Sequence, residues 1–525
     1  MSDSNSVVQR RTPKPSVQEE PVTLVATSTQ HETNLLSETE KGAGSGSGSG
    51  APLMSIIEDD IAKELEREEI ALTHFWARLN GAGRKAVPVS TSIKNCFLSS
   101  WLNVLLVCVP AAWVLNIIEE AKGPDAVISN THHMITWALS FLGLIPLEHF
   151  FDWGGEQMCL YLGKTLGDRL TVTLNNAVEA TLAIVLLAHC ELRLLQATII
   201  GVILLHLLLV PGFSFLVGGA RIWSQDLHPH NTELNHSLLT LGCMTLIVPA
   251  AYFAALDRGG AAPGSAESIV NDTTRGQLLV MSRGISVILL IVYFGSRIFL
   301  ADPPGENNAF TVHPDAPEAF KEEEKHLEEE EALTGPWTCI IMLLIAVGIM
   351  AYTAEALVEN VEFVRAPGGI GEEWFGMFLL PMVSFAADGA IAIGFFMHSA
   401  WRLLRGKPVP TSTIAKGRSI DLSIQFILWW MPFMVVLGWW IGKPMTLLFD
   451  LFEVAVLVAA CFLVNYVTQD AKTNWCEGLI MLSFYIMIVL CAWYYPGQQE
   501  VEDMNACLES VVTFIAGGGE AINGE

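Results

Sequence analysis

Leu174-Asn175-Asn176-Ala177-Val178-Glu179-Ala180-Thr181-Leu182-Ala183-Ile184 and Val383-Ser384-Phe385-Ala386-Ala387-Asp388-Gly389-Ala390-Ile391-Ala392-Ile393 align without a gap. Ala177/Ala386, Ala183/Ala392 and Ile184/Ile393 are identical, and Glu179/Asp388 keeps a carboxylate. Each carboxylate stands inside a long apolar run. A charge at that depth is costly unless it faces water, a partner or an ion, so each is a functional candidate.

Around these segments the chain shows eleven apolar runs: 97–118, 133–153, 166–190, 194–219, 235–256, 277–300, 337–359, 372–399, 419–441, 445–467 and 475–495. They are called runs 1 to 11 below. Stretches of about twenty residues cross ~30 Å of hydrocarbon at ~1.5 Å per residue. The chain is 51% hydrophobic and only 16% charged, with mean hydropathy +0.43, which excludes an ordinary soluble domain. The fold class expected is an all-α polytopic membrane protein of about eleven transmembrane helices. Runs 2–6 (133–300) and 7–11 (337–497) form two five-helix halves, with run 1 (96–119) as an extra helix. Five is odd, so the halves point in opposite directions. That is the inverted-repeat plan of many secondary transporters, with the ion site where the repeats meet.

Lys and Arg set the orientation. With the N-terminus in the cytosol, inside segments hold sixteen of them and the opposite side seven. A cytosolic N-terminus and a lumenal C-terminal tail (498–525) follow. Residues 1–95 read as a cytosolic tail. Its first fifty residues are polar and end in Gly-Ser repeats, a composition that cannot bury a core. Within it, 54–72 reads as a short amphipathic helix, near the membrane or simply solvated. No signal peptide is visible, and the ten cysteines suggest neither a zinc site nor a disulfide framework. The net charge of −26 with no basic block argues against nucleic acid. The partners expected are the lipid bilayer and transported cations. Oligomeric state is not legible.

The loop 301–336 carries Glu322, Glu323, Glu324, Glu328, Glu329, Glu330 and Glu331. Nine acids face two lysines over 315–331. The composition favours helix, either as a solvated linker or as a cytosolic segment that attracts cations.

The chemistry follows from the paired carboxylates. A hard divalent cation takes several oxygen ligands at ~2.3–2.6 Å. Two carboxylates facing each other neutralise it, and without it they repel and take up protons. One site then holds either a cation or protons, which is the physical basis of antiport. Oxygen ligands expected beside Glu179 and Asp388 are Asn175, Asn176, Ser384, Gln196, Ser423 and Gln425. Gln196, Ser423, Gln425 and His206 have interhelical hydrogen bonding as the alternative. Glu156 and Glu355, in apolar surroundings, are expected to relay protons.

These residues resemble a known family, the fungal vacuolar calcium/proton exchangers of the cation/calcium exchanger superfamily. The likeness covers roughly residues 97–497. Asn175-Asn176-Ala177-Val178-Glu179 stands where that family has Gly-Asn-Ala-Val-Glu. Gly442-Lys443-Pro444-Met445-Thr446-Leu447-Leu448-Phe449-Asp450, Asn474-Trp475-Cys476-Glu477-Gly478 and Tyr495-Pro496-Gly497 also match. The resemblance implies eleven helices, a regulatory acidic helix between runs 6 and 7, and exchange of lumenal protons for cytosolic calcium. The second signature departs from the family's Gly-Asn-Ala-Ala-Glu-His. Phe385 replaces an amide, Asp388 is one methylene shorter than Glu, and Gly389 replaces histidine. His206 stands where the family usually has Asn.

The expected function is therefore a secondary active antiporter exchanging a cation for protons across a vacuole-like membrane by alternating access. Calcium is the expected ion, manganese the next, and no resident cofactor is expected. A sodium or potassium/proton exchanger is one alternative. A non-transporting cation sensor or scaffold is another. No nucleophile–base pair or phosphate loop points to a conventional enzyme.

Overall fold

The computed structural model describes residues 75–507 apart from 78, 82–83, 123–128, 163, 220–222, 228, 257–269, 302–329, 387–388, 391–393, 395–396, 398–400, 403–404 and 406–417, together with 510, 511 and 515. The N-terminal tail, the helix expected at 54–72, Glu322, Glu323, Glu324, Glu328, Glu329 and Asp388 lie outside the described residues. Glu330 and Glu331 are described and exposed, in non-helical backbone.

Among the described residues, eight helices are long and apolar enough to cross a membrane. They are Trp101–Glu119, Asn130–Leu162, Leu192–Gly219, Thr232–Ala255, Asp272–Phe299, Pro336–Gly368, Arg418–Ile441 and Trp475–Trp493. They coincide with runs 1, 2, 4, 5, 6, 7, 9 and 11. Run 3 is a pair, Arg169–Asn175 and Ala177–His189, bent by 50°. Large apolar side chains such as Val104, Ile288, Leu344 and Phe462 stay exposed, as they do on a surface that faces lipid. Trp439, Trp440, Trp493 and Tyr494 are exposed near helix ends, where aromatic belts form.

The pairing of equivalent runs fits the inverted repeat. Runs 2 and 7 lie side by side and antiparallel. His133 Nδ1 meets Asn360 Oδ1 at one end (2.7 Å), and Tyr161 OH donates to the Thr334 carbonyl at the other (2.6 Å). Runs 4 and 9 each carry a five-residue π turn, Leu205–Leu209 and Phe426–Trp430. Each turn is followed at the second residue by a proline, Pro211 or Pro432. A proline inside a helix lacks an N–H and crowds the carbonyl one turn back, so widening that turn relieves the clash. Run 4 also crosses run 8 closely. A side chain at Gly201 would strike the Met377 backbone, and one at Gly376 would come within 2.7 Å of Ala197 Cβ. Small residues let the two backbones approach.

Two expectations are corrected here. The apolar run 10 spans 445–467, but its helix is Leu451–Val467. The preceding Met445, Thr446, Leu447, Leu448, Phe449 and Asp450 are buried and not helical. Gly442, Lys443 and Pro444 break the run, and Asp450 with Glu453 makes a capping box that starts the helix later. The second correction is a disulfide. Cys190 and Cys507 are bonded, with Cα atoms 6.2 Å apart. It ties the C-terminal segment to the end of run 3 across 317 residues.

Candidate ion site

Run 3 breaks at Asn176, whose backbone (φ −98°, ψ 8°) leaves the helical region. The helix restarts at Ala177 and places Glu179 in its first turn. Helix N-termini carry partial positive charge, so the break itself stabilises a carboxylate there. The same break frees the last carbonyls of the preceding half-helix, which suit a cation. Glu179 is 2% exposed, a depth at which a carboxylate is tolerated only with partners.

The other half of the chain supplies one. Run 8 breaks at Leu380 and Pro381 and resumes as helix over 382–386. Ser384, on that second segment, donates a short hydrogen bond from Oγ to Glu179 Oε1. His206 Nε2, on run 4, stands 3.8 Å from the same oxygen. Asn176 Nδ2 donates to Gln425 Oε1 (2.7 Å) on run 9. Gln425 in turn donates to Thr173 Oγ1 (3.0 Å) and Tyr293 OH (3.1 Å). Asn175 Nδ2 donates to Asp152 Oδ1 (2.9 Å) on run 2. The Oδ1 atoms of Asn175 and Asn176 are buried without a hydrogen-bond donor. Buried amide oxygens with no donor are costly in themselves and well suited to a hard cation.

A cavity of about 20 Å³ opens beside these groups, lined by Glu148, His149, Asp152, Asn175, His206, Val210, Ser384, Phe385 and Leu422. Glu148, His149 and Asp152 were not among the residues singled out from the sequence. They lie within run 2, so the rule that marked Glu179 marks Glu148 and Asp152 as well. Glu148, Asp152 and Glu156 follow at four-residue spacing, about 6 Å of rise per step. Glu156 is exposed, one turn beyond the cavity lining.

The structure does not bring every predicted ligand together. Gln196 is fully used elsewhere. Its Nε2 donates to the Thr446 and Leu448 carbonyls (3.2 and 2.9 Å), and its Oε1 accepts from Asn505 Nδ2 (2.7 Å). It satisfies the buried non-helical backbone before run 10, which has no helical partners of its own. Ser423 Oγ donates to the Ser419 carbonyl of its own helix (3.2 Å) and, across to run 4, to the Ile203 carbonyl (3.4 Å). Glu355 is exposed rather than deep, grouped with His189 and Glu359 where run 3 ends. Ten residues of helix separate Glu179 from His189, about 15 Å, so Glu355 does not touch the Glu179 group.

The departures in the second signature are sterically linked. A Cβ on Gly389 would lie 2.8 Å from Phe385 Cε1. The Phe385 ring thus occupies the space that a side chain at 389 would need. It also meets Phe213 edge-on, with centroids 6.1 Å apart. An apolar ring lines the cavity where the resemblance puts an amide.

Comparison with known proteins identifies the family. The sodium/calcium exchanger protein family matches residues 132–301 and 338–494. The vacuolar calcium ion transporter of Cryptococcus neoformans var. grubii is 30% identical over 474 residues, covering 77% of this chain and 75% of that protein. The vacuolar calcium ion transporter of Schizosaccharomyces pombe is 30% identical over 404 residues, covering 77% of this chain and 87% of that one. The structure of native YfkE superposes with a TM-score of 0.53 at 21% identity, covering 74% of this chain and all of YfkE. The matched residues span both five-helix halves and include Glu179 and Ser384, and the chain belongs to the sodium/calcium exchanger protein family and, within it, to the vacuolar calcium/proton exchangers.

Proposed function

We propose that this chain exchanges calcium for protons across a vacuole-type membrane by alternating access. The observation that carries the reading is Glu179, buried at a helix break and joined to Ser384 from the opposite half, with two donor-free amide oxygens beside it. A carboxylate in that setting binds either a cation or a proton, and the competition couples the two fluxes. The related vacuolar calcium ion transporters support calcium as the ion.

In this reading Glu179 and Asp388 are the shared carboxylates, and Asn175, Asn176 and Ser384 offer oxygens. Gln425 positions the break in run 3 through Asn176, and Ser423 ties run 9 to run 4. Glu148, Asp152 and Glu156 form a stripe from the cavity to one surface, with Glu156 as its outer proton acceptor. Glu355 serves the opposite mouth. The disulfide supports a lumenal assignment for the face that carries Cys190 and Cys507, since such bonds persist in oxidising compartments. With that assignment the C-terminal segment is lumenal and Glu156 faces the cytosol in this reading. The acidic run Glu322–Glu331 then lies on the cytosolic side, where it attracts cations.

Phe385 favours a second reading, monovalent cation/proton exchange, because it removes an amide ligand from the cavity wall. Reconstituted vesicles with an acidic interior separate the two. Uptake of radioactive calcium, competed by manganese and not by sodium, supports calcium exchange. Sodium- or potassium-driven proton efflux without calcium uptake supports the second reading. No cation flux in folded protein overturns both.

A further inference from the structure

The mechanism above leaves one buried charged cluster unused. It lies where runs 4, 8 and 10 begin. Arg193, at the start of run 4, forms ion pairs with Glu373 and with Asp450 (3.2 Å for the latter). Glu373, Asp450 and Glu453 are at most 3% exposed. Three carboxyl groups thus face one guanidinium out of water.

Asp450 is fully served as an anion. Its oxygens accept from Tyr495 OH (2.6 Å), the Gln498 N–H (2.8 Å) and the Phe452 N–H (2.9 Å), besides Arg193. Glu453 is not so served. Its Oε2 accepts from the Asp450 N–H (3.2 Å), while Oε1 is buried without a donor. Glu373 has Arg193 on one side, and neither of its oxygens has a well-formed donor. The Glu373 and Glu453 carboxyls face each other within hydrogen-bond reach. Two carboxylates in contact have no donor between them, and two bare charges there repel in a medium that screens poorly. One proton cures both faults. It supplies the missing donor and lowers the excess negative charge of the cluster from two to one.

We propose that Glu373 and Glu453 share one proton and form a second protonatable site, separate from Glu179, that locks the starts of runs 4, 8 and 10 together. The charged and titratable groups around it are Arg193 from run 4, Glu372 on the same segment as Glu373, Asp450 ahead of run 10, and Tyr495 after run 11. Glu191, Arg365 and Glu502 lie further out, around Glu372. Gly497 closes the cluster. It has φ +84°, and a side chain there would collide with the Arg193 guanidinium. Loss of the proton sets the two carboxyls against each other across the run 8–run 10 contact and loosens it. The proposal concerns a proton outside the ion site, so it stands whichever cation is carried.

Infrared difference spectra of the purified full-length protein test it directly, by reading the C=O stretch of protonated carboxyls during a pH titration. The expected result is a protonated-carboxyl band at neutral pH that disappears in alkali. It is absent from both Glu373→Gln and Glu453→Gln and retained in Glu179→Gln. Should a glutamine variant fail to fold, Glu373→Asp keeps the charge, lengthens the contact and shifts the midpoint of the band. Thermal melts give a second readout: wild type loses stability as pH rises through that midpoint, and Glu453→Gln, whose amide donates permanently, does not. A band and a melting profile unchanged in these variants overturn the proposal, whatever the transport assay shows.

Discussion

Ser384 donates its hydroxyl proton to Glu179 across 205 residues of chain, joining the broken run 3 to the broken run 8. The two halves therefore meet through the side chains that the sequence places beside the paired carboxylates. A hydrogen bond to a charged group contributes about 1.5–3 kcal/mol. Ser384→Ala is expected to weaken calcium affinity by roughly tenfold without unfolding the protein. Calcium binding to the purified variant by isothermal calorimetry checks this, and unchanged affinity would remove Ser384 from the site.

Gln425 holds Asn176 at the helix break while bonding to Thr173 and Tyr293. Gln425→Ala leaves these buried groups without partners, which costs about 1–3 kcal/mol. A fall in melting temperature together with slower exchange is the expected outcome. Gln196→Ala is expected to lower stability by a similar amount and leave the ion competition pattern unchanged, since its partners are Thr446, Leu448 and Asn505.

A side chain at position 389 requires a change at Phe385 first, because the Phe385 ring fills the space it would take. Gly389→His alone drives a side chain into the Phe385 ring and is expected to reduce folded yield. Phe385→Asn clears that space and restores an oxygen ligand, so it is expected to tighten calcium binding. The double substitution is expected to fold better than Gly389→His, as detergent-solubilised monodisperse yield will report.

The Cys190–Cys507 bond constrains a long loop, for which about 2–4 kcal/mol is typical. Cys507→Ser is expected to melt lower than wild type under oxidising conditions and at the same temperature under reducing ones. Equal melting in both conditions would show that the other C-terminal contacts, such as Arg275 to the Ala506 carbonyl, suffice.

Burial raises the carboxyl of Asp503, on the C-terminal helix Gln499–Met504, above its ordinary range, with Glu500 adding to the rise and Gln499 opposing it. A raised folded-state value means that stability is complete below the unfolded value of about 4 and is lost as pH rises through the folded one. Asp503→Asn is expected to flatten that decline in melts recorded upward from pH about 4.

Much of this architecture was legible because long apolar runs and buried carboxylates leave few alternatives. Glu179 meets Ser384 from the aligned segment of the other half, and Asn176 meets Gln425, a polar residue inside an apolar run. What was missed has specific causes. Glu148 and Asp152 stand inside run 2, whereas Glu156, the sequence candidate, lies past its end. Gln196 looked like a ligand because a buried amide at a helix start offers an oxygen. Its partners belong to a non-helical segment that hydropathy reads as part of run 10. The capping residues Asp450 and Glu453 carried that information. Cys190 and Cys507 are too far apart in sequence for spacing to pair them. Glu355 looked deep because its neighbours are apolar, yet one helical turn brings in Glu359, and His189 faces both.

The central claim is that Glu179 holds either the transported cation or a proton. Calcium titrated into weakly buffered purified protein, with a pH indicator present, measures that exchange without a membrane. Protons released on calcium binding by wild type, and lost together with binding in Glu179→Gln, are the predicted result. Calcium binding with undiminished proton release in Glu179→Gln would contradict it.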